Sequence, residues 1–312
     1  MTLRVAVLCG GFGAARFLDG LRRIPGVALT CIANTADDLD YVGVHVSPDV
    51  DTVSYALAGI FDEQRGFGVV GDTFRNAQAL RRYGWGWFAV GDVDLATSLR
   101  RTDLLRGGAT LSEATGDLAR GLGLEAAVVP MSDDPVRTRV VTDEGRLAFQ
   151  EYLVARRAQP KVVAVEHDGL ESARPAPAVL PALARADLVI LAPSSPLASL
   201  APILGLPGVR AAVAGAKAVA VSPVVSGVAP ATPPEQSRAR VREAFMAAAG
   251  LTHTATAVAG LYADLVDGFV LDERDAAEAA GIRALGVEVR TADTLAVGPG
   301  RVRLAEAVLG FI

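Results

Sequence analysis

Short apolar segments, tight polar turns and helix-like segments alternate along most of this chain, and this order constrains the fold most strongly. In the first unit, RVAVLC (4–9) precedes a glycine turn (10–13) and then AARFLDGLRRI (14–24), whose apolar residues recur every three or four positions. Strands joined through helices lie parallel in one sheet, with helices on both faces. We therefore predict an α/β fold with a doubly wound, mostly parallel, Rossmann-like sheet.

The later units repeat this scheme. Strands are predicted at 29–35, up to Val90, within 126–135 where the strand ends at Ser132 to Asp134, within 186–196 and 217–227 where the strands end in Pro and Ser turns, and at 268–275 and 287–293. Helices are predicted between them, at 51–61, 111–122 and 238–249. Asp49 or Asp51 is the expected N-cap of the first of these, because a side-chain oxygen can accept from the free N–H groups of the first turn.

One segment departs from the pattern. Residues 136–154 (VRTRVVTDEGRLAFQEYLV) alternate with period two about an Asp-Glu-Gly turn, which indicates a β-hairpin. We predict residues 1–130 and 178–312 to form the nucleotide- and ligand-binding core, with 131–177 as a small hairpin-containing insertion. The proline-rich stretch 173–183 is interpreted as a connection.

Composition excludes several classes of protein. The 312 residues carry a net charge of −5, which argues against a nucleic-acid binder. The two cysteines, Cys9 and Cys31, do not suggest a disulfide framework. No apolar run is long enough to span a bilayer, and MTLRVAVLCGG does not resemble a secretion signal. We expect a soluble cytoplasmic protein that does not bind membranes.

Polar clusters follow several predicted strands. In doubly wound sheets, ligands bind outside the carboxyl ends of the strands, so these clusters are expected to share one edge. The clusters are Gly10-Gly11, Asn34 to Asp38, Gly91-Asp92, Ser132 to Asp134, Ser194-Ser195 and Ser222.

The glycine turn predicts an anion site. Gly10, Gly11 and Gly13 allow the backbone to approach a phosphate, and the following helix offers unpaired N–H groups. The alternative is a tight strand–helix turn without a ligand. The dinucleotide fingerprint fails because Arg16 occupies its third glycine position, and no Gly-Lys-Ser/Thr follows. Arg16 either faces the same anion or is solvated.

Five aspartates lie between positions 37 and 51 in ANTADDLDYVGVHVSPDVD. A chain reversal at Gly43 would bring Asp37 and Asp38 close to Asp49 and Asp51. Mg²⁺ binds oxygen ligands, commonly one or two carboxylates with water and substrate phosphates. The segment therefore predicts a magnesium site beside a diphosphate, although helix capping and solvated loop charges account for some of these residues.

Two further acids stay ambiguous. Asp92 and Asp94 follow a predicted strand end, and either could be the N-cap of the next helix or part of the site.

Ser194 and Ser195 could bind a ligand or form a turn. His45 lies within the aspartate segment, and the three histidines have no zinc-ligand spacing.

Several long motifs resemble those of the 2-phospho-L-lactate transferase family, whose bacterial members are called phosphoenolpyruvate transferases. They are CGGFGAARFLDGL, NTADDLDYVGVHVSPDVDTVSYALAG, GDVDLATSLRRTDLL, GATLSEAT, LAPSSPLASLAPIL and VAVSPVVSG. The resemblance implies a magnesium-dependent enzyme of coenzyme F420 biosynthesis. It implies transfer of a phospho-lactyl or phospho-enolpyruvyl group from a guanosine-diphosphate conjugate to the ribityl 5′-hydroxyl of the deazaflavin Fo, with release of GMP. It also implies a homodimer.

The resemblance assigns roles to specific residues. Asp51 and Asp38 are the catalytic candidates, with Asp37, Asp38 and Asp51 as magnesium ligands. The nucleotide and its phosphates are assigned to Gly10, Gly11, Gly13, Ser194 and Ser195. The acceptor is assigned to Asn34, Thr35, Asp37, Asp49 and His45.

This chain differs from the family motifs at several places, including Leu39 to Tyr41, where an aromatic commonly follows the Asp pair, and VSPDVD in place of ICPDLD. Ala36 stands where the motif has glycine, and Ser195 where it has asparagine. Two other functions compete with the transferase. One is a nucleotide-sugar-binding regulator of the gluconeogenesis-factor family, against which the PDVDT and GDVDLAT motifs argue. The other is an NAD-dependent dehydrogenase, against which Arg16 argues. The motifs do not distinguish lactyl, enolpyruvyl and glyceryl groups.

Overall fold

The computed structural model describes residues 2–230 and 232–312. Its strands are β1 (Leu3–Cys9), β2 (Val27–Ala33), β3 (Leu39–Tyr41), β4 (Val44–Val46), β5 (Ala127–Pro130), β6 (Arg137–Thr142), β7 (Gly145–Ala148), β8 (Val162–Asp168), β9 (Leu188–Leu191), β10 (Ala218–Val221), β11 (Gly268–Asp272) and β12 (Glu288–Ala292). Its α-helices are α1 (Gly11–Leu21), α2 (Pro48–Ala58), α3 (Arg75–Arg81), α4 (Asp92–Arg106), α5 (Leu111–Gly121), α6 (Val179–Arg185), α7 (Ala201–Gly205), α8 (Val209–Ala214), α9 (Pro233–Ala248), α10 (Ala255–Tyr262), α11 (Ala279–Arg283) and α12 (Gly300–Leu309). Short π-helical segments occupy Glu151–Ala155 and Pro196–Leu200, and a 3₁₀ helix spans Glu273–Glu278.

Within the described residues, seven strands form one parallel sheet in the order β12-β11-β10-β9-β1-β2-β5. Helices pack on both faces, which confirms the predicted α/β class. Along β1, Ala6 and Leu8 belong to one apolar core, whereas Val5, Val7 and Cys9 belong to the core on the other face. A strand covered on both faces therefore appears in the sequence as a continuous apolar run.

The order of strands in the sheet determines where a ligand can bind. From β1 the chain proceeds outward to β2 and β5, and it later returns to the other side of β1 as β9. Such a reversal opens a crevice at the carboxyl ends of the two central strands. Gly10 follows β1 and Ser194 follows β9, and the Gly10 N–H donates to Ser194 Oγ at 3.0 Å.

The predicted hairpin is formed by β6 and β7, and β8 joins it to make a three-stranded antiparallel sheet. This sheet falls between residues 137 and 168, inside the range predicted for the insertion. Strand β8 was not among the predicted strands. Its residues alternate between buried and exposed only weakly, so the segment carries little period-two signal.

Two local predictions were wrong. The segment before Val90 is not a strand, because its aromatic side chains pack against Tyr41, with the rings of Trp87 and Phe88 centred 5.5 and 5.4 Å away. Helix α2 begins at Pro48, with Ser47 and neither aspartate at the N-cap position. Proline is favoured at the first helical position because its missing N–H has no partner there anyway.

Two other differences concern helices. Part of the proline-rich connection forms α6, from Val179 to Arg185. Gly91, and neither Asp92 nor Asp94, is the N-cap residue of α4. Asp72 supplies the acceptor for this helix end, because its carboxylate accepts from the N–H groups of Val93 and Asp94 at 2.9 and 3.0 Å.

The close approach of α1 to the turn after β9 requires glycine at position 13. A Cβ there would overlap the backbone carbonyl oxygen of Pro193. We expect Gly13→Ala to lower the free energy of unfolding by about 2–3 kcal/mol, measured by urea denaturation. Gly121→Ala is the matched control, since that helical glycine has no atom within 4 Å of the new Cβ. Equal stability of the two variants would contradict this close packing.

No helix in the described part of the chain is long and apolar enough to cross a membrane. Cys9 and Cys31 lie in the neighbouring strands β1 and β2, and both are buried free cysteines.

Candidate active site

A cavity of about 630 Å³ opens at the carboxyl ends of β1 and β9. It gathers residues from several of the predicted polar clusters and from regions far apart in the chain. Those predicted from sequence that line it are Gly10, Gly11, Gly13, Asn34, Asp37, Asp49, Asp51, Ser194, Ser195 and Ser222, with Arg16 and Asp94 among the residues that had been left ambiguous. The clusters Gly91-Asp92 and Ser132 to Asp134 are not part of the lining.

The glycine turn forms one wall of this cavity. Helix α1 begins at Gly11, and Gly10 at its N-cap position provides no side-chain acceptor. The free N–H groups of a first helical turn attract anions. A Cβ on Gly10 would overlap Asp49 Oδ2 and lie 2.9 Å from Ser199 Cβ, so only glycine permits this approach. The turn thus brings a potential anion site directly against a carboxylate.

Asn34 joins the two parts of the aspartate segment. Its side-chain amide donates to Asp37 Oδ1 at 3.2 Å and to Asp49 Oδ2 at 2.9 Å. The antiparallel pair β3–β4 makes the reversal that brings them together, with Gly43 at φ +76°. The predicted reversal is confirmed. Two residues from outside the aspartate segment also donate hydrogen bonds to these carboxylates: Gln150 to Asp37 at 3.1 Å and Ser199 to Asp49 at 3.3 Å.

Burial and neighbouring acids destabilise the charged forms of Asp37 and Asp49, two of the carboxylates that line the cavity. Burial raises the pKa of Asp37 well above its usual value, and the negative charges of Asp49 and Asp38 add to this effect. Burial likewise raises the pKa of Asp49 to about 6, against the opposing hydrogen bonds from Asn34 and Ser199. Such crowding favours either a shared proton or a bound cation.

Asp37 and Asp49 are suited to bind a magnesium ion whose remaining ligands would come from substrate and water. In the described residues, no cluster of three or more His, Cys, Asp or Glu side chains is arranged to hold a metal. Magnesium needs no such cluster, because it commonly takes one or two carboxylates with water and phosphate oxygens. Asp37 and Asp49 both line the cavity, and Asp49 adjoins the glycine turn where a phosphate would bind.

Asp38 does not line the cavity, although it is next to Asp37 in the chain. Its Oδ2 accepts from Ser47 Oγ at 2.9 Å and lies 3.1 Å from His45 Nε2, while its buried Oδ1 has no partner among the described residues. His45 and Thr35 are also absent from the cavity lining. The structure therefore separates these three predicted site residues from the cavity surface.

Asp51 lines the cavity and forms a buried ion pair with Arg101. Both guanidinium ends take part, since Arg101 Nη1 donates to Asp51 Oδ2 at 3.1 Å and Nη2 donates to Oδ1. The side chain of Arg101 is 0% exposed. Burial raises the pKa of Asp51, whereas the charge of Arg101 opposes that rise. Arg101 was not predicted, because an inward polar position on a helix has the same sequence pattern as a solvated one.

Asp94, for which the sequence left two roles open, also lines the cavity. Tyr55 donates its hydroxyl to Asp94 Oδ1 at 2.8 Å. Burial raises the pKa of Asp94 to about 7, and the charge of Asp51 contributes. Asp92 has a different role, since its carboxylate accepts from the N–H groups of Arg75 and Asn76 at the start of α3.

A sequence model of the family described as 2-phospho-L-lactate transferase CofD matches residues 5–296 of this chain. A 2-phospho-L-lactate transferase of Methanosarcina acetivorans is 39% identical over 308 residues, covering 98% of both chains. A phosphoenolpyruvate transferase of Streptomyces griseus is 40% identical over 324 residues, covering 98% of this chain and 99% of the relative.

Solved structures agree on the fold. A crystal structure of a Bacillus halodurans protein, described as a member of the UPF0052 family, is 17% identical and superposes with a TM-score of 0.65, covering 99% of each chain. Such low identity shows shared architecture alone. The family resemblance seen in the motifs is confirmed by the match over nearly the whole chain. This protein belongs to the 2-phospho-L-lactate transferase CofD family.

Proposed function

We propose that this protein transfers a phospho-lactyl or phospho-enolpyruvyl group from a guanosine-diphosphate conjugate to the ribityl 5′-hydroxyl of the deazaflavin Fo, releasing GMP, in coenzyme F420 biosynthesis. The observation that carries the proposal is the meeting of the family's motif residues in one cavity. There the glycine turn directly faces the carboxylate of Asp49 in the aspartate segment. The names of the relatives, 2-phospho-L-lactate transferase and phosphoenolpyruvate transferase, support the same chemistry.

The donor diphosphate is proposed to bind at the glycine turn. Gly10, Gly11 and Gly13 offer close backbone approach, and the N-terminus of α1 favours negative charge. Ser194 and Ser195 line the same wall, so their hydroxyls are available to the nucleotide. Ser195 has one hydroxyl where the family motif has an amide, and it therefore offers fewer hydrogen bonds to a base or ribose.

The acceptor is proposed to enter from the carboxylate side. Asn34, Asp37 and Asp49 line that wall, with Thr35 and His45 supporting the segment from outside the cavity lining. Trp87 and Phe88 also line the cavity and supply flat apolar surface suited to a deazaflavin ring.

Magnesium is proposed to bind at Asp37 and Asp49. When bound, it neutralises charge on the phosphate oxygens that gain it during transfer. Asp38 and Asp51, the other predicted ligands, have side-chain partners that hold them differently: Asp38 contacts His45 and Ser47, and Asp51 pairs with Arg101. Their charges still act on the site, since that of Asp38 raises the pKa of both Asp37 and Asp51.

Asp51 is proposed to accept the proton of the ribityl hydroxyl. A carboxylate has about four acceptor positions, so the pair with Arg101 leaves room for the hydroxyl. The hydroxyl oxygen bonds to the phosphorus next to the three-carbon acid, and the bond from that phosphorus to the GMP oxygen breaks. Positioning and charge stabilisation suffice for such a transfer, and no covalent enzyme intermediate is needed.

A titration of the purified protein with Fo, followed by fluorescence, tests the proposal. Saturable binding that strengthens when GDP and Mg²⁺ are added is expected, because the nucleotide and the metal complete the site. Turnover is then checked by chromatography of the phosphorylated product and of GMP. Absence of Fo binding while GDP or a nucleotide sugar still binds would favour the regulatory alternative. The homodimer and the cytoplasmic location stay predictions, and sedimentation of the purified protein tests the first.

A further inference from the structure

Helix α9 directs two arginines, Arg238 and Arg242, at the cavity. They are four positions apart and therefore lie on one face of the helix, where like charges repel. Both are half-buried, and no carboxylate in the described part of the chain lies within ion-pairing distance of either. Buried cations normally form ion pairs with carboxylates, so these two arginines are an exception in the cavity wall.

Each guanidinium is held in place but retains donors. Arg238 Nη2 donates to the backbone oxygen of Gly66 at 2.7 Å, whereas its buried Nη1 has no partner among the described residues. Arg242 Nε donates to His253 Nε2 at 3.1 Å. Burial lowers the pKa of Arg238, and it lowers the pKa of Arg242 to about 10. The fold thus maintains two desolvated guanidinium groups without a direct ion pair among the described residues, although the negative charges of Asp49 and Glu235 act on Arg238 from farther away.

The pair begins beside the glycine turn. The Arg238 guanidinium lies 5.5 Å from the centre of the Phe12 ring, in the first turn of α1, and Arg16 lies 5.6 Å from the same ring. Arg16 differs from the α9 pair because Glu235 lies 3.8 Å from it and its Nη2 donates to Leu295 and Ala296 carbonyls. Arg242 is one helical turn beyond Arg238. The positive charge therefore extends from the proposed phosphate site along α9.

We propose that Arg238 and Arg242 form a subsite for the carboxylate of the three-carbon acid that is linked to the donor diphosphate. The proposal rests on the proposed function. In such a donor, one carbon bears both the phosphate ester oxygen and the carboxylate, so the second anion lies immediately beyond the diphosphate. Guanidinium groups bind carboxylates through paired, charge-assisted hydrogen bonds. The lactyl and enolpyruvyl groups both have this carboxylate, so the subsite binds their common feature and does not distinguish between them.

Calorimetric binding without acceptor tests the subsite, because the donor is not consumed under those conditions. The two ligands are guanosine-diphosphate-linked lactate and GDP, which lacks the carboxylate. We expect Arg242→Gln and Arg238→Gln each to weaken donor binding by about tenfold to a hundredfold, the range for a lost charge-assisted hydrogen bond, and to change GDP binding by much less. Arg240→Gln is the matched control, since Arg240 is exposed on the same helix, lies outside the cavity lining and donates to Ser237 Oγ at 3.4 Å.

Three results would overturn the subsite: equal losses for donor and GDP, no loss for either, or wild-type protein that binds the donor no more tightly than GDP. Arg242→Lys keeps the charge but loses the paired geometry, so its donor affinity is expected to lie between those of wild type and Arg242→Gln. If Arg242→Gln does not fold, Arg242→Lys is measured in its place. Donor binding without any transfer to Fo would refute the proposed function while leaving the subsite intact, so the two failures are distinguishable.

Discussion

Replacing Asp49 by asparagine is expected to reduce turnover by about 10²–10³-fold, the effect typical of losing one charged group that stabilises a transition state. Asp49 adjoins the glycine turn and shares Asn34 with Asp37, so it is placed to hold a cation against the donor phosphates. Asparagine keeps the shape and one acceptor oxygen but loses the charge. Steady-state assays at saturating Mg²⁺ measure the loss.

The same variant is expected to be more stable than wild type in metal-free buffer above pH 6. Burial raises the pKa of Asp49 from 3.8 to about 6, so the folded state binds this proton more tightly than the unfolded state. The wild-type protein therefore loses stability as pH rises between these two values, by on the order of 3 kcal/mol. Asparagine does not ionise, so the variant lacks this loss. Urea denaturation with a chelator at pH 4 and pH 8 measures the difference.

Asp40→Asn is the matched control for both measurements. It changes the same functional group in the same segment, but the Asp40 side chain is 75% exposed and outside the cavity lining. Turnover and stability of this variant should stay close to those of wild type. Full activity of Asp49→Asn would exclude Asp49 from the metal site and from donor positioning.

Replacing Arg101 by methionine is expected to lower the free energy of unfolding by about 3–5 kcal/mol, because it leaves the buried carboxylate of Asp51 without its partner. Asp51 would then lie near Asp94 with no positive charge between them to offset their repulsion. Arg100 is the matched control. Its side chain is 49% exposed and pairs with Asp117 at the surface, so Arg100→Met should cost about 1 kcal/mol or less.

The double variant Asp51→Leu, Arg101→Met separates stability from catalysis. Apolar side chains can replace a buried ion pair at little cost, so most of the lost stability should return. Turnover should stay absent, because the proposed proton acceptor is missing. A double variant as unstable as Arg101→Met would show that the pair contributes through packing and not through its charges. An active double variant would refute the role of Asp51, though not the family.

The sequence determined the class of fold and the existence of the site. Continuous apolar strands and periodic helices are local patterns, and a sheet buried on both faces produces them directly. The glycine turn at 10–13 and the aspartate segment were also readable, because glycine and clustered carboxylates each have few structural uses. Even the reversal at Gly43 followed from local chemistry, since glycine readily adopts its positive φ.

Only the tertiary structure decided which side chains act together. Asp37 and Asp38 are adjacent, yet one lines the cavity and the other does not. Asp51 meets Arg101 from 50 positions away, and α9 brings Arg238 and Arg242 to a turn that lies near the start of the chain. These contacts between distant residues depend on the order of strands in the sheet, where β9 returns beside β1, and on the loops that follow the strands. No local propensity encodes that order, because it is set by the burial of both sheet faces at once.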